Sequence, residues 1–170
     1  ELNASFTITF NEALPDHYTK VKFYCKREEG SYDVKIVCDT SEQIIAITSD
    51  TIPYIEFEIP GQTKKISVKT IKNNSNDSFL EFYGMDIQSR NDTGCVVHLA
   101  GVGAAMFKAV LYQKLLPEQL PHLEPDLVIL DYGTNDYLYN DKLDKNLSTT
   151  IRKSIDIIQK AYPETSVLLT

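Results

Sequence analysis

The sequence predicts two architectures in succession: an all-β sandwich or jelly roll over residues 1–90, then part of an α/β domain over residues 91–170. Three observations carry this. Short segments of the first half alternate apolar and polar residues, the period-two signature of strands with one wet face. Clusters of Ser, Asp, Asn, Pro and Gly punctuate them at short intervals. From about Gly94 the pattern switches to continuous apolar runs alternating with helix-forming stretches, as parallel βαβ units require.

In the first half, residues 4–10 alternate Phe6, Ile8 and Phe10 with Ser5, Thr7 and Thr9. Residues 21–26 and 34–38 flank Glu28-Glu29-Gly30-Ser31 and are expected to form a hairpin. Further strands are expected at 44–48, 55–59, 65–71 and 79–85. In 55–59, Ile55, Phe57 and Ile59 point one way, Glu56 and Glu58 the other. Turns fall at Ser49-Asp50, Pro60-Gly61 and residues 73–77. Seven or so strands at this spacing match a sandwich or jelly roll.

In the second half, residues 95–100 form a short apolar run closed by Gly101-Val102-Gly103. Residues 104–116 are rich in helix formers. A second run, 127–130, stops at Asp131-Tyr132-Gly133-Thr134-Asn135-Asp136. A long helix is expected over 141–161, with Leu147, Ile151, Ile155, Ile158 and Tyr162 along one face. Pro163 ends it, and residues 166–170 start a third run. Three parallel strands under two helices leave sheet edges and one face uncovered. Strands from outside these residues, or from a partner chain, are expected to complete the sheet.

Composition narrows the partners. The net charge is −7, from 24 acids against 17 bases, with no Lys/Arg block. That argues against nucleic acid and against an anionic membrane surface. No apolar run approaches the ~18 residues of a membrane helix, so no membrane insertion is expected. No basic-then-apolar leader follows Glu1, which places any signal peptide outside the sequence. Cys25, Cys38 and Cys95 are far apart and form no Cys-x-x-Cys, so neither a zinc site nor any other metal or cofactor is expected; one disulfide or none fits. His98, inside an apolar run, reads as a core histidine. His122 reads as a loop or helix-end residue, and His17 beside Asp16 as a surface pair. Asp141, Asp144 and Asp156 read as a solvated helix face, with negative charge near the helix start. Asn-x-Ser/Thr sequons at Asn3, Asn73, Asn76, Asn91 and Asn146 matter only in a eukaryotic secreted protein.

Ligands of open parallel sheets bind beyond the carboxyl ends of the strands. Two such ends are expected, at Gly101-Val102-Gly103-Ala104-Ala105 and at Gly133-Thr134-Asn135-Asp136. Each precedes a helix and offers backbone N–H groups suited to an anion or oxyanion. Gly133 permits a sharp turn. Asn135 supplies a neutral N–H₂ donor, which binds an oxyanion without losing a proton. Asp136 is placed to orient the loop by accepting backbone N–H groups. The plainer reading of that turn is an Asx turn with a capping Asp.

The stretch 125–136, ending Gly133-Thr134-Asn135-Asp136, resembles the third sequence block of the SGNH (GDSL-type) hydrolases, Gly-x-Asn-Asp after a strand. Residues 96–107 resemble the second block. The order is similar to that of bacterial SGNH esterases acting on carbohydrate O-acetyl groups, peptidoglycan included. Some of these carry an inserted module resembling a carbohydrate-binding β-sandwich. The resemblance covers residues 79–170; over the first 78 it is architectural. It implies part of a flavodoxin-like hydrolase sheet, and an acylated carbohydrate as substrate. It implies that Asn135, with a backbone N–H of Gly103 or Ala104, forms the oxyanion hole, and that Gly101, Gly133 and Asp136 shape the substrate side. Relatives often read Gly-x-Asn-Gly-Ala in the second block, which leaves the register between Gly103 and Ala104 open. The family's Gly-Asp-Ser and Asp-x-x-His are absent. The resemblance places the Ser before Glu1 and the Asp and His after Thr170, so the remainder of the hydrolase domain is the implied partner. These residues alone are expected to show negligible esterase activity. Periplasmic or cell-surface export is implied by the resemblance only.

Two other readings stand beside it. Gly101-x-Gly103 after an apolar run imitates a dinucleotide-binding half-domain. That fingerprint wants Gly or Ala where Met106 stands, and an acid about 20 residues on, whereas Asp131 lies 28 beyond Gly103. The other is a non-catalytic carbohydrate-binding module, since Tyr18, Phe23, Tyr24, Tyr32, Tyr54, Phe57, Phe79, Phe82 and Tyr83 include rings able to stack on sugars. Most such rings in the first half are expected in strand cores, and Trp is absent.

Overall fold

The computed structural model describes residues 4–91, 93–138 and 144–170. The chain divides into two units, Glu1–Cys95 and Val96–Thr170. Each is described by itself.

Alternation builds the first unit. Its strands are β1 (Ser5–Thr9), β2 (Tyr18–Cys25), β3 (Asp33–Cys38), β4 (Glu42–Ile45), β5 (Tyr54–Glu58), β6 (Lys65–Ile71) and β7 (Phe82–Ser89). They form two antiparallel sheets, ordered β1-β6-β3-β4 and β5-β2-β7. The alternate residues Val21, Phe23 and Cys25 of β2 meet Val34, Ile36 and Cys38 of β3 in one core. Ile55, Phe57, Ile66 and Val68 complete its centre. Burial of side chains this size stabilises by about 1.5–3 kcal/mol each.

The hairpin expected at residues 28–31 does not form. β2 pairs with β5 and β7, whereas β3 pairs with β4 and β6. The connection is instead bonded to residues 78–79. Ser78 N–H donates to the Gly30 carbonyl at 2.9 Å, and Tyr32 N–H to the Phe79 carbonyl at 2.7 Å. Gly30 takes φ +85° to allow it. The expected strand at 44–48 ends at Ile45, and Ile47 N–H donates instead to Asp33 Oδ1 at 2.9 Å. β7 starts later than expected and carries a register shift where it pairs Cys25 with Phe82.

The second unit has one parallel pair, β8 (Leu127–Leu130) and β9 (Ser166–Leu169), in register Leu127↔Ser166 to Leu130↔Leu169. Helices are α1 (Leu116–Gln119), α2 (Thr134–Leu138) and α3 (Leu147–Ala161), with 3-10 segments at Phe107–Tyr112 and Leu120–Leu123. Val128, Leu130 and Val167 pack with Leu147, Ile151, Ile155 and Ile158 of α3, the face that the four- and three-residue spacing marks. Residues 141–143 of the expected long helix, Asp141 included, lie outside the described residues.

Two expectations fail here. Residues 95–100 form no strand. Val96, Val97 and Leu99 are exposed, Leu99 at 94%. A strand needs a neighbouring strand, and among the described residues none pairs with this run. His98 is therefore exposed, not a core histidine. The continuous helix expected over 104–116 is also absent. Ala104 takes φ +62°, which no right-handed helix contains, and Pro117 and Pro121 each fall at the start of a new short helix.

Candidate functional site

The two loops beyond the expected strand ends come together within the second unit. β8 delivers the chain to the 131–136 turn, with Leu130 buried beneath it. Gly133 takes φ +108°, which strains any side chain. This redirects the chain so that Asn135 and Asp136 enter α2, where Tyr137 N–H closes on the Gly133 carbonyl at 2.9 Å.

Asn135 is half-buried, and its Nδ2 donates to the Ala105 carbonyl at 3.0 Å. Asp136 is buried, and its Oδ2 accepts the Phe107 N–H at 3.0 Å. The resemblance groups Asp136 with the substrate side; its carboxylate is turned into the protein, where it orders the loop.

The 101–106 loop forms a turn, with Ala105 N–H donating to the Val102 carbonyl at 3.3 Å. Ala104 occupies the third turn position at φ +62°, a place that usually requires Gly or Asn. Gly101, Gly103 and Ala104 are exposed. A Cβ on Gly101 or Gly103 would meet nothing within 4 Å, so neither glycine is imposed by crowding. The first loop is followed by a 3-10 segment of six residues, and α2 spans five of the described residues. At the first loop the donors on offer are thus individual N–H groups more than a helix dipole, which needs aligned turns.

Sequence reading does not single out Phe107. It is buried, and its ring lies 5.2 Å from that of Tyr132. The only signal in the sequence is its place as a large apolar residue just after the loop.

The arrangement offers one side-chain amide and the backbone N–H groups of an exposed turn, tied together by two hydrogen bonds. Neutral N–H donors are the kind of group suited to an oxygen carrying negative charge. Among the described residues, no three His, Cys, Asp or Glu side chains converge as metal ligands. Without a strand at 95–100, the dinucleotide reading loses the strand that must precede its glycines. None of the three cysteines is in a disulfide. Among the described residues, no helix is long and apolar enough to cross a membrane.

Among solved structures, the chain is similar to a peptidoglycan O-acetylesterase, with TM-score 0.69 and 15% identity over 98% of this chain and 44% of that one. A family two carbohydrate esterase from Cellvibrio japonicus matches at TM-score 0.31 and 11% identity, over 99% of this chain and 72% of that one. A carbohydrate esterase family 2 enzyme with a carbohydrate-binding domain, from Corynascus thermopiles (Myceliophthora fergusii), matches at 0.30 and 14%, over 98% and 71%. The first likeness is one of fold; the other two are too loose to argue from. The chain spans less than half the length of that first structure. No protein-family model and no curated protein matches.

Proposed function

We propose that these residues are the oxyanion-binding part of an SGNH-type serine esterase that removes O-acetyl or other short acyl groups from a carbohydrate. One observation supports this above the rest: the Asn135 amide of the Gly-x-Asn-Asp turn is hydrogen-bonded to the loop that carries Gly103 and Ala104. The fold likeness to a peptidoglycan O-acetylesterase agrees with it.

In this reading the first unit is a β-sandwich module, and the second is part of a flavodoxin-like sheet. The half-exposed Leu127, Ile129 and Leu168 then face a layer supplied by the rest of the hydrolase domain, because parallel sheets are covered on both faces. The acylated carbohydrate is the substrate, and the compartment is the periplasm or cell surface. A serine from that remainder attacks the acyl carbonyl, and a histidine takes the hydroxyl proton. The carbonyl π electrons move to oxygen, giving a tetrahedral oxyanion. Asn135 Nδ2–H and a backbone N–H of Gly103 or Ala104 bind it. Collapse expels the sugar alkoxide, which takes the proton from histidine, and water then releases the acid.

The test is to extend the reading frame on both sides and assay the encoded protein on p-nitrophenyl acetate and acetylated glycans. A Gly-Asp-Ser upstream, an Asp-x-x-His downstream, and a kcat lowered about 10²–10³-fold by Asn135→Ala are expected. Turnover that survives both Asn135→Ala and serine-directed inhibitors would overturn the assignment.

A further inference from the structure

We propose that Phe107 is a positioning residue for the oxyanion-binding loops, a role that rests on the function proposed above. Phe107 opens the 3-10 segment directly after the 101–106 loop and is 5% exposed. It meets the 131–136 turn at three points. Its N–H donates to Asp136 Oδ2 at 3.0 Å. Its ring packs on Tyr132, with centroids 5.2 Å apart and planes at 44°. Its Cε2 lies 3.9 Å from where a Cβ on Gly133 would stand. Tyr132, Gly133 and Asp136 bracket Asn135 in the sequence. Asn135 in turn reaches back to Ala105, two residues before Phe107.

The consequence is geometric. The two kinds of donor sit on separate segments, and they act on one oxygen only if their spacing is fixed. A misplacement of about 1 Å costs on the order of a hundredfold in rate. Phe107 fixes the spacing from the middle, as buried backbone donor and as packing surface at once. The Ala105 carbonyl adds the orientation, because only an N–H satisfies it. Nδ2 is thereby turned toward the loop, and Nδ2 carries a second N–H for the oxyanion.

The experiment is steady-state kinetics on p-nitrophenyl acetate with the protein encoded by the extended reading frame. Phe107→Leu keeps apolar bulk and removes the ring. Its kcat is expected to fall about tenfold to a hundredfold, with KM within about twofold. Asp136→Leu is expected to lose a similar factor, and Asp136→Asn, whose amide oxygen still accepts the Phe107 N–H, to recover most of it. Hydrogen exchange in the same protein gives a readout free of activity. The Phe107 amide is expected to exchange slowly in the native sequence and in Asp136→Asn, and fast in Asp136→Leu. Unchanged kcat in a folded Phe107→Leu protein, or a loss confined to KM, overturns the proposal. If Phe107→Leu does not fold, equal losses in Asp136→Leu and Asp136→Asn overturn it. Asn135→Ala is assayed alongside. If it has no effect, the esterase reading fails; if it inactivates while Phe107→Leu does not, the positioning role alone fails.

Discussion

Among the described residues, Ala104 is one of three non-glycine positions at positive φ, with Gln62 and Glu124. Its φ of +62° puts a Cβ in the left-handed region, which costs roughly 1–2 kcal/mol for an L-residue. Glycine there removes the clash but adds freedom to the unfolded chain, about 0.4–1 kcal/mol in the other direction. Ala104→Gly is therefore expected to stabilise the second unit by about 0.5–1 kcal/mol in urea denaturation, and Ala104→Val to destabilise it. A lower midpoint for Ala104→Gly would show that the turn is not held in this conformation. The same position shows how far sequence reading reaches. Gly133, Asn135 and Asp136 are legible because a strand end, a glycine and an amide lie within a few residues of one another. The part played by Phe107 is not, because Asp136 is 29 positions away in the chain and only folding brings the two together.

At the scale of elements, the connection from β4 to β5 has no ladder of its own and is held chiefly by one side chain. The Arg27 guanidinium donates to the Thr48 carbonyl at 3.0 Å, the Tyr54 carbonyl at 2.9 Å and the Ile52 carbonyl at 3.3 Å. It also reaches Asp50 Oδ2 at 3.3 Å, with its own side chain only 10% exposed. Removing it takes a charged donor from each of those carbonyls, so Arg27→Leu is expected to cost about 2–3 kcal/mol. Arg27→Lys keeps the charge but not the fork, and is expected to recover less than half. A loss under about 0.5 kcal/mol, the range of ordinary surface changes, would mean that the loop holds without it. The Asp50 carboxyl is held below the usual carboxylate range, first by the Ile52 N–H and further by Arg27. A depressed folded pKa stabilises above the unfolded value, near pH 4, and the contribution is lost as pH falls through the folded pKa. Elements also show where sequence reading misleads. The strands β1 to β7 are legible from alternation, but β2 and β3 read as a hairpin because they are neighbours in the chain. Their partners β5, β7, β4 and β6 are set by a core that no local pattern encodes. Residues 95–100 have strand composition, yet strand propensity describes fitness for a sheet that must be present.

For the whole molecule, the two units differ in how well they are closed. Among the described residues, twelve buried apolar side chains form the first core and five the second. The second unit also leaves Val96, Val97, Leu99 and Val102 about 70% exposed or more, and Ile129 at 54%. Exposed apolar surface of this kind contributes nothing until it is covered. The second unit is therefore expected to unfold first, at lower urea, and the native chain to bind a hydrophobic dye. Cysteines report the order. Cys25 and Cys38 lie in the first core; burial pushes the Cys25 thiol up to about 11 and raises that of Cys38. Thiolate is the reactive form, so both are inert at neutral pH while that core is intact. Cys95 is exposed. One thiol is expected to react with a disulfide reagent in native buffer and through the first transition, and the other two only in the second. Three thiols reacting together at the first transition would show that the chain unfolds as one cooperative body. Reaction of all three in native buffer would show that the first core does not close over Cys25 and Cys38.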